Sequence, residues 1–156
     1  MIKRYIYLAG AIYGVSYEEA IDWRTEIKSL FLPGLIGISP MRMKEFLSGK
    51  EKIGHSYEHD LLSNARAIWA RDKMDVKTCD MIVAYMPRSI NEKRPSTGTT
   101  VELGWADAFD KLIVLITDDP HLINHPLTGQ AAGFIVPDIV RAAEVVNGVF
   151  GEYVVV

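Results

Sequence analysis

Apolar positions along the chain follow two rhythms. Residues 3–9 (Lys-Arg-Tyr-Ile-Tyr-Leu-Ala) are rich in aromatic and branched side chains and stop at Gly10, which predicts a first strand. In residues 18–31, Ala20, Trp23, Ile27 and Leu30 recur at helical spacing with charges between them, and Pro33-Gly34 ends that helix. Residues 35–39 make a short second strand closed by Pro40, and residues 41–57 are polar and mixed, a long excursion with room for a helical turn, of the kind that forms lids or disordered stretches. Helical periodicity returns over 58–78 through Leu61, Leu62, Ala65, Ile68 and Trp69. Residues 81–86 and 111–117 are continuous apolar runs and predict buried strands, with a proline-containing loop at 87–98 and a helix at 99–110 between them. A polar loop with two histidines leads to a last helix over 137–147, with Pro137 placed in its first turn. The apolar tail from Tyr153 to Val156 reads either as an added strand or as a segment reaching a neighbouring subunit.

Strands alternating with helices, two of the strands apolar throughout, predict an α/β domain with a mostly parallel sheet covered on both faces. The 156 residues fit one domain, 1–156. Ligands in open parallel sheets bind beyond the carboxyl ends of the strands, so the loops after strands one, three and four become the places to search. Composition adds exclusions: a net charge of -3 argues against a nucleic-acid polymer as partner, which needs a basic face. Cys79 is the only cysteine, so no intrachain disulfide forms, and it reads as a small buried residue. No apolar stretch reaches the roughly 20 residues of a membrane span, and the start lacks the features of a signal peptide, so a cytoplasmic location is expected.

The chemistry is carried by carboxylates. After strand three a small, hydroxyl-rich segment, Ser96-Thr97-Gly98-Thr99-Thr100, runs into a helix and offers donors to an anion; Glu102 follows, placed in about the first turn. An acid there either compensates the helix dipole or is poised ionised for attack. Asp72 and Asp75 are placed near the end of the preceding helix, where the dipole disfavours an acid, and Asp80 begins strand three. They are either solvated charges beside Arg71, Lys73 and Lys77 or acids held for a task. Taken together, Glu102 and Asp72 suit glycosyl transfer with retention, one carboxylate attacking the anomeric carbon and the other protonating the leaving group. Tyr7 in strand one reads either as a core tyrosine or as a hydroxyl that orients a carboxylate, and Gly10 lets a ligand approach the backbone of the next loop.

Three blocks in order carry a resemblance: Tyr7-Leu8-Ala9-Gly10-Ala11-Ile12; Asp72 with Val76 to Met81; and Ser96-Thr97-Gly98-Thr99 with Glu102-Leu103-Gly104-Trp105-Ala106. The chain resembles the nucleoside 2-deoxyribosyltransferase family, which also holds 2'-deoxynucleoside 5'-phosphate N-hydrolases. The resemblance implies a flavodoxin-like three-layer sandwich with about five strands and a homo-oligomer, a dimer or larger. It also implies Glu102 as nucleophile, Asp72 as the acid that protonates the base, and Tyr7 as the residue that positions the nucleophile. Gly10, Ile12 and Trp23 are then expected near the base pocket or its supports, and Ser96, Gly98 and Thr99 at the sugar or phosphate. Transferase members typically carry an acid where this chain has Ser96, whereas the hydrolase branch carries serine, which favours a 5'-monophosphate. That branch also has Ser and Arg after the first-strand glycine, where this chain has Ala11 and Tyr13, which pulls the other way. Arg88 and Arg94 flank the loop; they read as solvated or as substitute charge.

His55, His59, His121 and His125 lack the spacing and the third ligand of a metal site, and neither metal nor cofactor is expected; His59 and His125 remain possible substrate contacts from loops. Three activities follow: sugar transfer from a 2'-deoxynucleoside, or its 5'-monophosphate, to a second free nucleobase; hydrolysis with water as acceptor; or a nucleotide-binding sensor without catalysis.

Overall fold

In the computed structural model the described residues are 2–54 and 61–151. Five strands, β1 (Arg4–Gly10), β2 (Leu35–Ile38), β3 (Met81–Tyr85), β4 (Leu112–Ile116) and β5 (Phe134–Val136), form one sheet in the order β2-β1-β3-β4-β5. Every pairing is parallel. This is the flavodoxin-like order, with its topological switch between β1 and β3. The helices are α1 (Tyr17–Ser29), α2 (Ala65–Thr78), the short α3 (Arg88–Asn91), α4 (Thr97–Ala108), the short α5 (Pro120–Ile123) and α6 (Thr128–Ala131), and α7 (Ile139–Phe150).

Period-two alternation along the strands divides the core into two layers. Tyr7, Ala9, Ile82, Ala84, Ile113 and Leu115 face Val76 of α2 and Leu103 and Ala106 of α4. The intervening residues Ile6, Leu8, Met81, Val83, Val114 and Ile116 face Trp23 and Ile27 of α1 and Ala142, Ala143 and Val146 of α7. The three-layer sandwich follows directly from the strand sequences, since both faces of β1, β3 and β4 are apolar.

Some expectations need correction. The excursion expected as a lid or disorder at 41–57 is pinned, over its described part, by a third small cluster of Met41, Leu47, Ile53 and Ala20. Backbone bonds from Gly14 N to Ile53 O and from Ile53 N to Val15 O, both 2.9 Å, tie it to the loop after β1. Three apolar anchors at irregular spacing leave no period to read. Helix α2 starts at Ala65, because Asn64 caps it by accepting from Ala67 N; Leu61 and Leu62 lie in the turn before it and are exposed. Helix α4 begins at Thr97, and the loop after β3 contains α3. Pro137 lies outside the last helix, whose N-cap is Asp138 accepting from Arg141 N. The fifth strand comes from 134–136, too short and too exposed to announce itself, while residues 152–156, considered above as an added strand, lie outside the described residues. Among the described residues no helix is long and apolar enough to cross a membrane.

Candidate active site

A cavity of about 800 Å³ opens beyond the carboxyl ends of β1 and β3, where the topology switches. Gly10 and Ile12 line it from the loop after β1, Asp72 from α2, and Ser96, Gly98, Thr99 and Glu102 from the start of α4. Tyr7 and Trp23 stand behind this wall. The buried Tyr7 hydroxyl donates to Glu102 Oε1 at 3.0 Å, so the core tyrosine and the carboxylate-orienting tyrosine are one and the same residue. Trp23 packs beneath Gly10, where a Cβ would stand 2.7 Å from its Cζ2, and stacks on Tyr85 with centroids 4.7 Å apart. Gly10 is therefore demanded by the indole behind it.

Neither carboxylate owes its character to a helix terminus. Glu102 is the sixth residue of α4, whose first turn contains no acid; Asp72 is the eighth of the fourteen residues of α2. Dipole effects fade within one turn, so burial and neighbours take over. Enclosure pushes Glu102 up to about 8, the charge of Asp72 adds to this, and the Tyr7 hydrogen bond pulls back. Burial raises Asp72 less, to about 6, because the Lys44 ammonium opposes it, with Arg71 and Arg42 assisting and Asp75 acting against them. Burial thus raises both acids above the usual carboxylate range, Glu102 further than Asp72. Between about 6 and 8 the pair carries one proton. Among the described residues Asp72 Oδ1 is buried without a hydrogen-bond partner, which leaves it available to a ligand.

The other acids separate from this site. Asp75 pairs with Arg42 at 2.7 Å, and Asp80 sits at the start of β3, bonded to Arg4 and to Tyr5 N. Ser96 caps α4, its hydroxyl accepting from Thr99 N and lying 2.6 Å from Thr99 Oγ1. Arg88 pairs with Glu92 and does not line this cavity, whereas Arg94 does. His125 Nδ1 accepts from Leu127 N and Thr128 N, a structural task away from the cavity lining. His55 and His59 lie outside the described residues, and among those described no three His, Cys, Asp or Glu side chains gather as a metal site would need.

Two buried cations escaped the sequence reading. Arg24 is almost fully buried and donates to the carbonyls of Leu8 at 3.0 Å, Gly10 at 3.1 Å, and Ala20, fixing the end of β1. It lies on the same face as Ala20 and Ile27, spacing that carried the signal. Lys44 is equally buried beside the cationic neighbours of Asp72. It follows Met43, whose φ of 64° turns the chain inward, and nothing in the local sequence marks that turn.

The sheet order and the buried acid pair define a flavodoxin-like domain with an acid–base cavity at its switch point. The chain belongs to the nucleoside 2-deoxyribosyltransferase family, whose model matches residues 6–139. Among solved structures it is similar to a 2-deoxyribosyltransferase from Bacillus psychrosaccharolyticus, with 19% identity, TM-score 0.60, and 89% of this chain and 90% of that one covered. It is also similar to the CMP N-glycosidase of Clostridium botulinum, with 18% identity, TM-score 0.53 and coverage of 94% and 99%. A conserved protein from Enterococcus faecalis V583 matches with 16% identity, TM-score 0.61 and coverage of 91% and 96%. A search of curated proteins gives no match to the sequence.

Proposed function

We propose that the protein cleaves the N-glycosidic bond of a 2'-deoxynucleoside or its 5'-monophosphate through a glycosyl-Glu102 ester and transfers the sugar to another base. The observation that carries this reading is the Tyr7–Glu102 hydrogen bond of 3.0 Å beside Asp72 in one cavity. Substrate entry moves the single proton of the pair from Glu102 to Asp72. The Glu102 carboxylate then attacks the anomeric carbon, the carbon–nitrogen bond breaks, and the departing base takes the Asp72 proton. In the return step a second base attacks the same carbon, the ester to Glu102 breaks, and the incoming base gives its proton back to Asp72. Each step conserves the one proton with which the empty pair starts. Tyr7 holds Glu102 in one rotamer, and its hydroxyl stays protonated because burial and the Glu102 charge raise it well above 10.

Hydrolysis, with water intercepting the ester, is the second reading. Ser96 favours it, as does the likeness to a solved CMP N-glycosidase. Incubating the protein with deoxynucleosides and their monophosphates, with and without a second base, separates the two. Exchange that needs the second base supports transfer, and base release without it supports hydrolysis. Binding of nucleotides with no turnover across the panel would leave the sensor reading standing and remove both catalytic ones.

We also infer a homo-oligomer. The support is an apolar surface on α2, where exposed Trp69 meets the half-buried Trp105 of α4 edge to face at 4.7 Å and Met74 is also exposed. Light scattering of a Trp69→Glu variant is expected to show dissociation; a monomeric wild-type chain would refute the inference.

A further inference from the structure

The deep end of the cavity holds two acids, whereas the exposed part of its lining holds two cations, Lys93 and Arg94, and one acid, Glu19. Arg94 lines the mouth, with its guanidinium carbon 4.0 Å from the Tyr13 ring centroid and its Nη2 donating to the Tyr13 hydroxyl at 2.8 Å. Gly14, at φ +83°, makes room for this stack; a Cβ there would stand 2.7 Å from Arg94 Nη1. Among the described residues no carboxylate pairs with Arg94. Glu19 also lines the mouth, but its carboxylate is engaged with Ser16 N at 2.9 Å in the cap of α1. Lys93 stands beside Arg94 on the same wall.

We propose that Arg94, seated on Tyr13 over Gly14, is the specificity-determining residue that binds the 5'-phosphate of a nucleoside monophosphate whose glycosidic bond lies against Glu102 and Asp72. The proposal rests on the glycosidic reading of the site and names its substrate class. Two physical arguments support it. First, one N–H of Arg94 is spent on Tyr13, which leaves the rest of a five-donor planar fork for two phosphate oxygens. The aromatic stack holds that fork in place before the ligand arrives, so less side-chain freedom is lost on binding. Second, the buried acid pair repels an anion at the deep end, so the charged group of a ligand is accommodated only at the open end, where Lys93 adds a positive charge. Ser96 adds a neutral hydroxyl to the same wall, accepting from Thr99 N and sharing a 2.6 Å hydrogen bond with Thr99 Oγ1 in which either oxygen can donate.

The test is equilibrium binding of a deoxynucleoside 5'-monophosphate and of the matching deoxynucleoside, by calorimetry, to the wild type, Arg94→Ala and Arg94→Lys. The wild type is expected to bind the monophosphate more tightly. Arg94→Ala is expected to lose about 10- to 100-fold for the monophosphate and under about twofold for the nucleoside. Arg94→Lys, which keeps the charge without the fork, is expected between them. Equal affinity of the wild type for both ligands, or an unchanged preference in Arg94→Ala, would overturn the proposal. Base release by the wild type, followed by chromatography on the same two compounds, tests the glycosidic reading separately. That reading survives if nucleosides are cleaved while Arg94 proves silent; conversely, an Arg94-dependent preference without turnover would leave the phosphate site and remove the catalysis.

Discussion

Helices α2 and α4 lie against the same face of the sheet, and each brings one carboxylate to the cavity, yet the two acids meet opposite surroundings. Glu102 stands in a dry wall with a neutral phenol as its hydrogen-bond partner, while Asp72 faces a buried ammonium and the guanidinium groups of Arg71 and Arg42. A carboxylate loses most of its hydration in either place; for Asp72 the Lys44 ammonium is the largest opposing influence, whereas for Glu102 the charges of Arg24 and Lys44 come after the Tyr7 hydrogen bond. This difference sets which acid holds the proton at rest. In the proposed mechanism the pair then needs no proton exchange with solvent.

The hardest blow to this asymmetry is the removal of the enclosed acid. Glu102→Ala is expected to lower kcat by roughly 10³- to 10⁵-fold, because the proposed covalent route disappears. Far-UV circular dichroism should be unchanged, since the side chain is replaced by a smaller apolar one beside the cavity. Activity within a few fold of wild type would remove Glu102 from the nucleophile's role.

Asp72→Asn tests the other acid with a smaller expected loss, about 10²- to 10⁴-fold on ordinary bases. A substrate whose leaving group departs without protonation should recover most of that loss. An equal loss on both kinds of substrate would point to a binding or folding defect rather than to proton donation.

The strands could be read because β1, β3 and β4 are buried on both faces and therefore apolar throughout, as residues 81–86 and 111–117 show. Glu102, Asp72, Ser96 and Gly10 line one cavity because their elements are strongly periodic and their order along the chain fixes the switch point. The ionisation order was expected from helix position, but a two-residue difference at the start of α4 and a mid-helix placement of Asp72 remove the dipole from both sites and leave burial and neighbours to act instead. Lys44 and Arg24 were passed over because long cations usually reach solvent. Their burial depends on the turn at Met43 and on the carbonyls at the end of β1, contacts between segments distant in sequence. Arg94 was visible but could not be assigned, because its meeting with Tyr13 spans 81 residues.

The smallest expected effect concerns Lys44, the largest influence opposing burial at Asp72 and the smallest of those acting on Glu102. With one proton needed on the pair, kcat/KM should follow a bell between about 6 and 8. Below the lower limit Asp72 also takes a proton and no carboxylate is left to attack; above the upper limit Glu102 loses its proton and no acid is left to protonate the base. Lys44 lowers Asp72, so Lys44→Met, which removes the charge and keeps an unbranched apolar stem, should let Asp72 rise. The acidic limb is then expected to move up by about half to one pH unit, with activity at pH 6 falling roughly three- to tenfold. On the basic side the effect should shrink, because burial brings Lys44 itself down to about 8 and it loses its charge there in the wild type. An acidic limb that stays in place in Lys44→Met would show that Asp72 does not depend on this ammonium, and the contrast between the two helices would then rest on enclosure and the arginines alone.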